Sequence, residues 1–134
     1  MTGLPKITVV TPSYNQAQFL DRTMRSVLEQ GYPNLEYIVI DGGSTDGSQD
    51  IIAKHARDLA WWVSEKDRGQ SEAINKGLKR ATGDWIAWQN SDDVYCPGAF
   101  ASLARAAARC SGADLIVGNV NLIDSEDRVL RDLC

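Results

Sequence analysis

The chain has 134 residues, 43% of them hydrophobic, and its 14 Lys plus Arg against 18 Asp plus Glu give a formal net charge of -4. That length and apolar content suit one compact domain, residues 1–134, and exclude a disordered tail or a collagen-like segment. The acidic balance, with no basic stripe interleaved with aromatics, excludes nucleic-acid binding as the main role.

Residues 7–11 are a β-branched apolar run of the kind a buried strand presents. Pro12, Ser13, Tyr14 and Asn15 break it as a loop. A helix is predicted over 16–30, where Leu20, Met24, Val27 and Leu28 make one apolar stripe before Gly31 and Pro33 end it. Residues 36–40 read as a second buried strand that runs into Asp41-Gly42-Gly43-Ser44-Thr45-Asp46-Gly47. Asp46 is a candidate N-cap for a helix reaching about residue 56, with Gln49 placed as in a capping box. A third strand is expected at 60–64, bearing Trp61 and Trp62. A third helix should open at Gly69 or Gln70, with Ile74, Leu78 and Ala81 on one face and Gly83 closing it. A fourth strand at 84–88 ends in Gln89-Asn90-Ser91-Asp92-Asp93. Pro97 suits the first turn of a fourth helix with Phe100, Leu103, Ala104, Ala107 and Ala108 inward. A fifth strand is expected at 114–117 and a strand-turn-strand over 119–134, turning at 124–127.

Strands alternating with helices imply an α/β fold with a parallel sheet covered on both faces. In such sheets ligands bind outside the carboxyl ends of the strands. Four polar clusters fall there. Thr11 and Tyr14 can wall a base pocket with Tyr14 stacking on it, while Asn15 can cap the next helix. Asp41 can accept a hydrogen bond from a base N–H or a ribose hydroxyl, with Gly42 and Gly43 letting a flat ligand approach; equally, it can cap the amides of its own turn. Asp67 and Arg68 can bind a base or ribose, or belong to a solvated loop. Asp92 and Asp93 can hold a hard divalent cation, or form an acidic turn. Each cluster alone is ambiguous; together they describe a nucleoside-diphosphate site completed by a metal.

Three cysteines, Cys96, Cys110 and Cys134, show no zinc-ligand spacing and read as reduced thiols of a cytoplasmic chain. His55 reads as a surface histidine. The tryptophans read as packing residues, with Trp88 the exception beside the acidic loop. No secretory leader and no membrane-spanning run is evident. A dinucleotide-binding domain would need Gly-x-Gly-x-x-Gly after the first strand, and 11–16 has no glycine. A receiver-like domain would need paired acids there, and none is present.

The ordered motifs Ile7-Thr-Val-Val-Thr-Pro-Ser-Tyr-Asn15, Tyr37-Ile-Val-Ile-Asp-Gly-Gly-Ser-Thr-Asp-Gly47, Glu65-Lys-Asp-Arg-Gly-Gln70 with Ala73-Ile-Asn-Lys-Gly77, and Gly83-Asp-Trp-Ile-Ala-Trp-Gln-Asn-Ser-Asp-Asp93 resemble family 2 glycosyltransferases. The resemblance implies the GT-A fold, a three-layer α/β/α arrangement with a mostly parallel sheet. It implies transfer of a sugar from a nucleoside-diphosphate sugar, usually of uridine diphosphate, to an acceptor hydroxyl in polysaccharide, lipopolysaccharide or other cell-surface glycan synthesis. Asp41 should read the base, Thr11, Pro12, Tyr14 and Asn15 should line its pocket with Gly42 and Gly43, and Asp67 and Arg68 should hold base or ribose. Asn90 and Ser91 should lie along the nucleotide, with Asp92 and Asp93 holding Mg²⁺ or Mn²⁺. Asn90 stands where the family's metal motif usually begins with an acid, which implies weaker metal binding without nucleotide.

Family members of this type invert the anomeric centre and need a carboxylate base for the acceptor. That base is expected beyond Cys134, so the chain reads as an N-terminal part of a longer enzyme. A nucleotide-sugar-binding module without turnover is the alternative. The expected partners are the donor and a carbohydrate or lipid-linked acceptor. The C-terminal part, so read, is the place for peripheral contact with the inner face of a membrane, and its lack leaves an apolar face through which two copies pair.

Overall fold

The computed structural model describes residues 3–133. The four apolar runs become β1 (Ile7–Ser13), β2 (Leu35–Asp41), β3 (Trp61–Ser64) and β4 (Trp85–Trp88). They form one parallel sheet in the order β3-β2-β1-β4. Period-2 alternation divides their side chains between two faces. Ile7, Val9, Tyr37 and Val39 pack with Leu20, Met24 and Val27 of α1 (Ala17–Leu28), Ile52 of α2 (Ser48–Lys54), and Phe100 and Ala104 of α4 (Ala99–Arg109). Val10, Ile38 and Ile40 face Ala73 of α3 (Gln70–Leu78). This is the three-layer α/β/α arrangement the alternating pattern predicts. Each large buried side chain contributes about 1.5–3 kcal/mol. Phe100 is fixed further by edge-on contacts with Tyr95 and Tyr32, at centroid distances of 4.9 and 6.2 Å.

The strand order decides where a ligand can sit. The chain builds outward from β1 through β2 to β3, then crosses back to place β4 on the other side of β1. The reversal opens a crevice beyond the carboxyl ends of β1 and β4. β1 outlasts β4, whose pairing stops at Val10↔Trp88, so Pro12 lies in the strand although a loop was expected from that residue. On that side β1 is an edge by then, and a missing N–H costs little.

The helix ends differ from expectation in an informative way. α2 begins at Ser48 with Gly47 (φ +93°) as its N-cap position, and a 3₁₀ turn, Ala56–Asp58, follows it. Asp46 sits one residue earlier than a capping residue would and serves two helices. Its Oδ1 accepts from the Ser48 amide and hydroxyl, at 3.1 and 2.6 Å. Its Oδ2 accepts from the Ala17 amide at 2.9 Å, satisfying the first turn of α1, the role predicted for Asn15. Gln49 forms no capping box; its amide donates to the Ser44 carbonyl and to Ser64 Oγ. Losing both caps should cost about 1–2 kcal/mol. Asp46→Ala is therefore expected to lower the urea midpoint, and an unchanged midpoint would show that water replaces it at both helices.

α3 ends at Leu78, short of Gly83, and α4 begins at Ala99, two residues after Pro97, with Ala108 exposed. His55 is no bare surface residue: its Nε2 lies 2.9 Å from Asp21 Oδ1, joining α1 to the end of α2. That contact, with Arg25 and Lys54 nearby, holds the Asp21 carboxyl below its ordinary range. Trp62 and Trp85 pack against the first face's core and Trp61 against the second. Cys96 and Cys110 are free thiols; Cys134 lies outside the described residues. No helix among the described residues is long and apolar enough to cross a membrane.

The described residues fall into two compact units, divided between residues 104 and 105. The second contains an antiparallel hairpin of β5 (Val120–Ile123) and β6 (Val129–Leu133), in the place predicted for a strand-turn-strand. Asp124 holds its turn by accepting from the Glu126 and Arg128 amides and from Arg128 Nε. The fifth strand expected at 114–117 is absent, and Leu115 and Val117 are each 77% exposed. A short run such as Leu115-Ile116-Val117 becomes a strand only where a neighbouring ladder receives its backbone groups, and no described strand pairs with it.

Candidate functional site

The crevice at the strand reversal is a cleft of about 590 Å³, a size suited to a nucleotide-sized ligand. One wall is the end of β1 and its loop: Pro12, Ser13, Tyr14 and Gln16. A second comes from Gly42, after β2, and from Lys66, Asp67 and Gly69, after β3. Gln70 and Ala73 of α3 and Asn90, Ser91 and Asp92, after β4, complete it. Tyr14 is 62% exposed, so an aromatic face is available for stacking. The loop after β1 turns sharply because Asn15 takes a left-handed φ of +51°. That turn is held by the Asn15 amide donating to Ser44 Oγ and by Asn15 Oδ1 accepting from the Thr45 amide.

Of the predicted residues, the cleft brings together Pro12, Tyr14, Gly42, Asp67, Asn90, Ser91 and Asp92. Thr11, Asn15, Asp41, Gly43, Arg68 and Asp93 stand behind or beside its walls. Asp41 is fully buried, and its carboxylate is occupied within the protein. Oδ2 accepts from the amides of Gly43 (3.1 Å) and Ser44 (2.8 Å) and from Ser64 Oγ (2.7 Å). Oδ1 accepts from Ser44 Oγ at 2.5 Å. This is the turn-capping role weighed for it, and Gly43, at φ +84°, supplies the backbone bend. Thr11 is buried against Tyr37, hydroxyl to hydroxyl at 2.9 Å, and burial raises the Tyr37 phenol far above its ordinary range. Arg68 is turned to solvent and pairs with Glu72 at 3.0 Å.

At the acidic loop, Asn90 occupies a defined place. Its Oδ1 accepts from Gln70 Nε2 at 2.6 Å and its Nδ2 donates to Asp93 Oδ2 at 3.2 Å. The amide thus links α3 to this loop, which an acid at the same position could do only while facing the Asp93 carboxylate. Asp92 lines the cleft next to Ser91. Among the described residues no group of three His, Cys, Asp or Glu side chains converges as a self-sufficient metal site. The donor set is oxygen only, which fits Mg²⁺ or Mn²⁺ sharing ligands with a bound phosphate. Trp88 is 61% exposed and is not part of the wall.

Ser13, Gln16, Lys66, Gly69, Gln70 and Ala73 were not predicted as site residues. Ser13 and Gln16 flank predicted ones, and Lys66 to Gln70 lie in the third polar cluster, so position along the chain could have flagged them. Ala73 could not be found that way, because its spacing on α3 marks it equally as core.

Residues 8–132 match the family described as glycosyl transferase family 2. The chain is 32% identical over 130 residues to an uncharacterized glycosyltransferase of Nostoc sp., covering 93% of this chain and 39% of the relative. It is 38% identical over 94 residues to a Bacillus subtilis glycosyltransferase named for teichuronic acid biosynthesis, TuaG, covering 68% of this chain and 37% of the relative. Among solved structures, Staphylococcus aureus TarS superposes with a TM-score of 0.71 at 26% identity, over 79% of this chain and 20% of that one. A mannosyltransferase from Pyrobaculum calidifontis, in complex with GDP-Man and Mn²⁺, superposes with a TM-score of 0.69 at 34% identity, over 91% and 36%. The chain belongs to glycosyl transferase family 2, with the GT-A fold of these neighbours. It spans about two fifths of the length of the first two relatives.

Proposed function

We propose that residues 1–134 form the donor-binding part of an inverting glycosyltransferase that takes a nucleoside-diphosphate sugar, uridine diphosphate first among the candidates, in cell-surface glycan synthesis. The observation that carries this reading is one cleft, at the strand reversal, presenting an exposed Tyr14 ring, the Asp67 carboxylate and the Asp92 carboxylate together. A stacking face, an acceptor for base or ribose and an acid for the phosphate end are the three groups such a donor needs. The TarS structure in complex with UDP-GlcNAc and the mannosyltransferase with GDP-Man and Mn²⁺ support the ligand class. The teichuronic acid relative supports the glycan setting.

In this reading Tyr14 stacks on the base, and Asn90 and Ser91 lie along the ribose and phosphates. Asp92, with Asp93 beside it, would hold Mg²⁺ or Mn²⁺ at the phosphate end of the cleft. The ion, when bound, neutralises the charge that builds on the leaving nucleoside diphosphate. The acceptor hydroxyl, on a carbohydrate or lipid-linked chain, attacks the anomeric carbon from the face opposite the departing phosphate. Its proton passes to a carboxylate base. Asp67 and Asp92, the acids of this cleft, are already assigned to the donor, so the base is assigned to the remainder of a longer enzyme working at the cytoplasmic side of a membrane.

Asp92→Ala tests this assignment. Calorimetric titration with uridine diphosphate should show the Mn²⁺-dependent part of the affinity lost, a weakening of about tenfold or more, with the melting temperature little changed. A folded variant that keeps the metal dependence would remove Asp92 from the site.

A further inference from the structure

After β4 the chain passes through the acidic turn and runs without regular secondary structure from Asp93 to Cys96 before it reaches α4. Backbone groups in such a stretch need partners from elsewhere. They find them on α1. Thr23, Ser26 and Gln30 are spaced three and four residues apart, which puts them on one side of α1 and of the turn that ends it. Thr23 Oγ1 donates to the Asp93 carbonyl at 2.8 Å, the Tyr95 amide donates to Ser26 Oγ at 3.1 Å, and Gln30 Nε2 donates to the Cys96 carbonyl at 2.9 Å. Gln30 Oε1 also accepts from the Phe100 amide, at 3.2 Å. Thr23 is fully buried and is not among the residues that line the cleft. A threonine inside a helix often donates to a carbonyl of its own preceding turn. This one bonds instead to a residue 70 positions later.

That residue closes the acidic turn. The Asp93 amide donates to the Asn90 carbonyl and Asp93 Oδ2 accepts from Asn90 Nδ2, each at 3.2 Å. At the other end the Gln89 amide donates to the Val10 carbonyl of β1 at 2.8 Å. Asp92 therefore lies on a turn pinned to β1 before it and to α1 after it. We propose that Thr23 is a positioning residue for the cation-holding acids: by fixing the Asp93 carbonyl from outside the cleft, it keeps the Asp92 carboxylate in place before an ion arrives. The inference rests on the reading of Asp92 and Asp93 as the residues that hold Mg²⁺ or Mn²⁺. Adjacent carboxylates repel, and a turn free to relax would let them part. Groups that orient metal-holding side chains from outside weaken the affinity when they are removed, although they never touch the ion. Thr23→Val keeps the shape of the buried side chain and removes only the donor, so it separates this role from packing.

The test is calorimetric titration of the purified chain with uridine diphosphate, in Mn²⁺ and again in a chelator, for wild type, Thr23→Val and Thr23→Ser, with thermal melts alongside. Thr23→Val is expected to cut the gain in affinity that Mn²⁺ brings by about fivefold, while its affinity in chelator stays within about twofold of wild type. Thr23→Ser retains the hydroxyl and should retain the gain. If Thr23→Val does not melt cooperatively, Thr23→Ala, which also lacks the donor, takes its place in the same comparison. A folded variant without the hydroxyl that keeps the full Mn²⁺ gain, or a Thr23→Ser variant that loses it, would reduce Thr23 to a packing residue and leave the donor site standing. A wild-type chain whose affinity for uridine diphosphate is the same with and without Mn²⁺ would remove the cation reading itself, and this inference with it.

Discussion

Asp41→Ala is expected to destabilise the protein by about 3 kcal/mol, the largest single effect of any residue around the cleft. The substitution leaves the Gly43 and Ser44 amides and the Ser44 and Ser64 hydroxyls without their acceptor inside a buried turn. Each orphaned buried donor costs about 1–3 kcal/mol, reduced where the turn relaxes or water enters. The turn also carries Gly42, so nucleotide binding should weaken as a consequence of lost order. Urea unfolding checks the first effect and titration the second. A variant with wild-type stability and lost base preference would make Asp41 the base reader and contradict the role assigned to it here.

Glu36→Gln is expected to cost a similar amount at neutral pH, at the opposite end of the sheet. Glu36 accepts from Thr8 Oγ1, the Thr82 amide and Thr82 Oγ1, each at 2.7 Å, and pairs with Lys6 Nζ at 3.0 Å. Burial pushes its carboxyl up, but the hydrogen bonds from Thr82, Thr8 and Lys6 outweigh that and hold it at about 2, against an ordinary 4.5. With the side chain only 12% exposed, the difference corresponds to about 3 kcal/mol. A depressed carboxyl contributes stability that is complete above its unfolded value and is lost on acidification. Wild type should therefore lose this contribution as pH falls from about 4.5 towards 2. Glu36→Gln should be less stable at pH 7 and show a flatter profile across that window. Parallel profiles for the two proteins would show that Glu36 is not so held. The site is tightly built: a Cβ on Gly83 would lie 2.7 Å from the Thr8 amide nitrogen, so this corner admits no larger residue without moving backbone.

The layers of the fold were legible because the apolar runs of β1 and β2 are continuous and the stripe of α1 is regular. So was the location of the cleft, since each polar cluster follows a strand. What remained hidden is the direction each polar side chain takes. Asp41 and Asp67 are equally plausible acids at strand ends, and only the packing of Asp67 over Gly42 separates the one that faces the cleft from the one that holds the turn. Asn15 and Asp46 are both good capping residues; the cap of α1 comes from 29 residues away, a contact no local pattern encodes. Residues 114–117 looked like a strand because apolar content marks a strand's suitability and says nothing about whether a neighbour is there to pair with it. Glu36, polar in the sequence of a buried strand, gave no functional signal and owes its state entirely to Thr8, Thr82 and Lys6.

The central claim, that the cleft binds a nucleoside diphosphate with a divalent cation, is tested most directly by calorimetric titration of the purified chain with uridine diphosphate, in Mn²⁺ and again in a chelator. Saturable one-site binding that weakens when the metal is removed is the predicted result. A folded sample that gives no binding heat with uridine or guanosine diphosphate, with or without Mn²⁺, would contradict it.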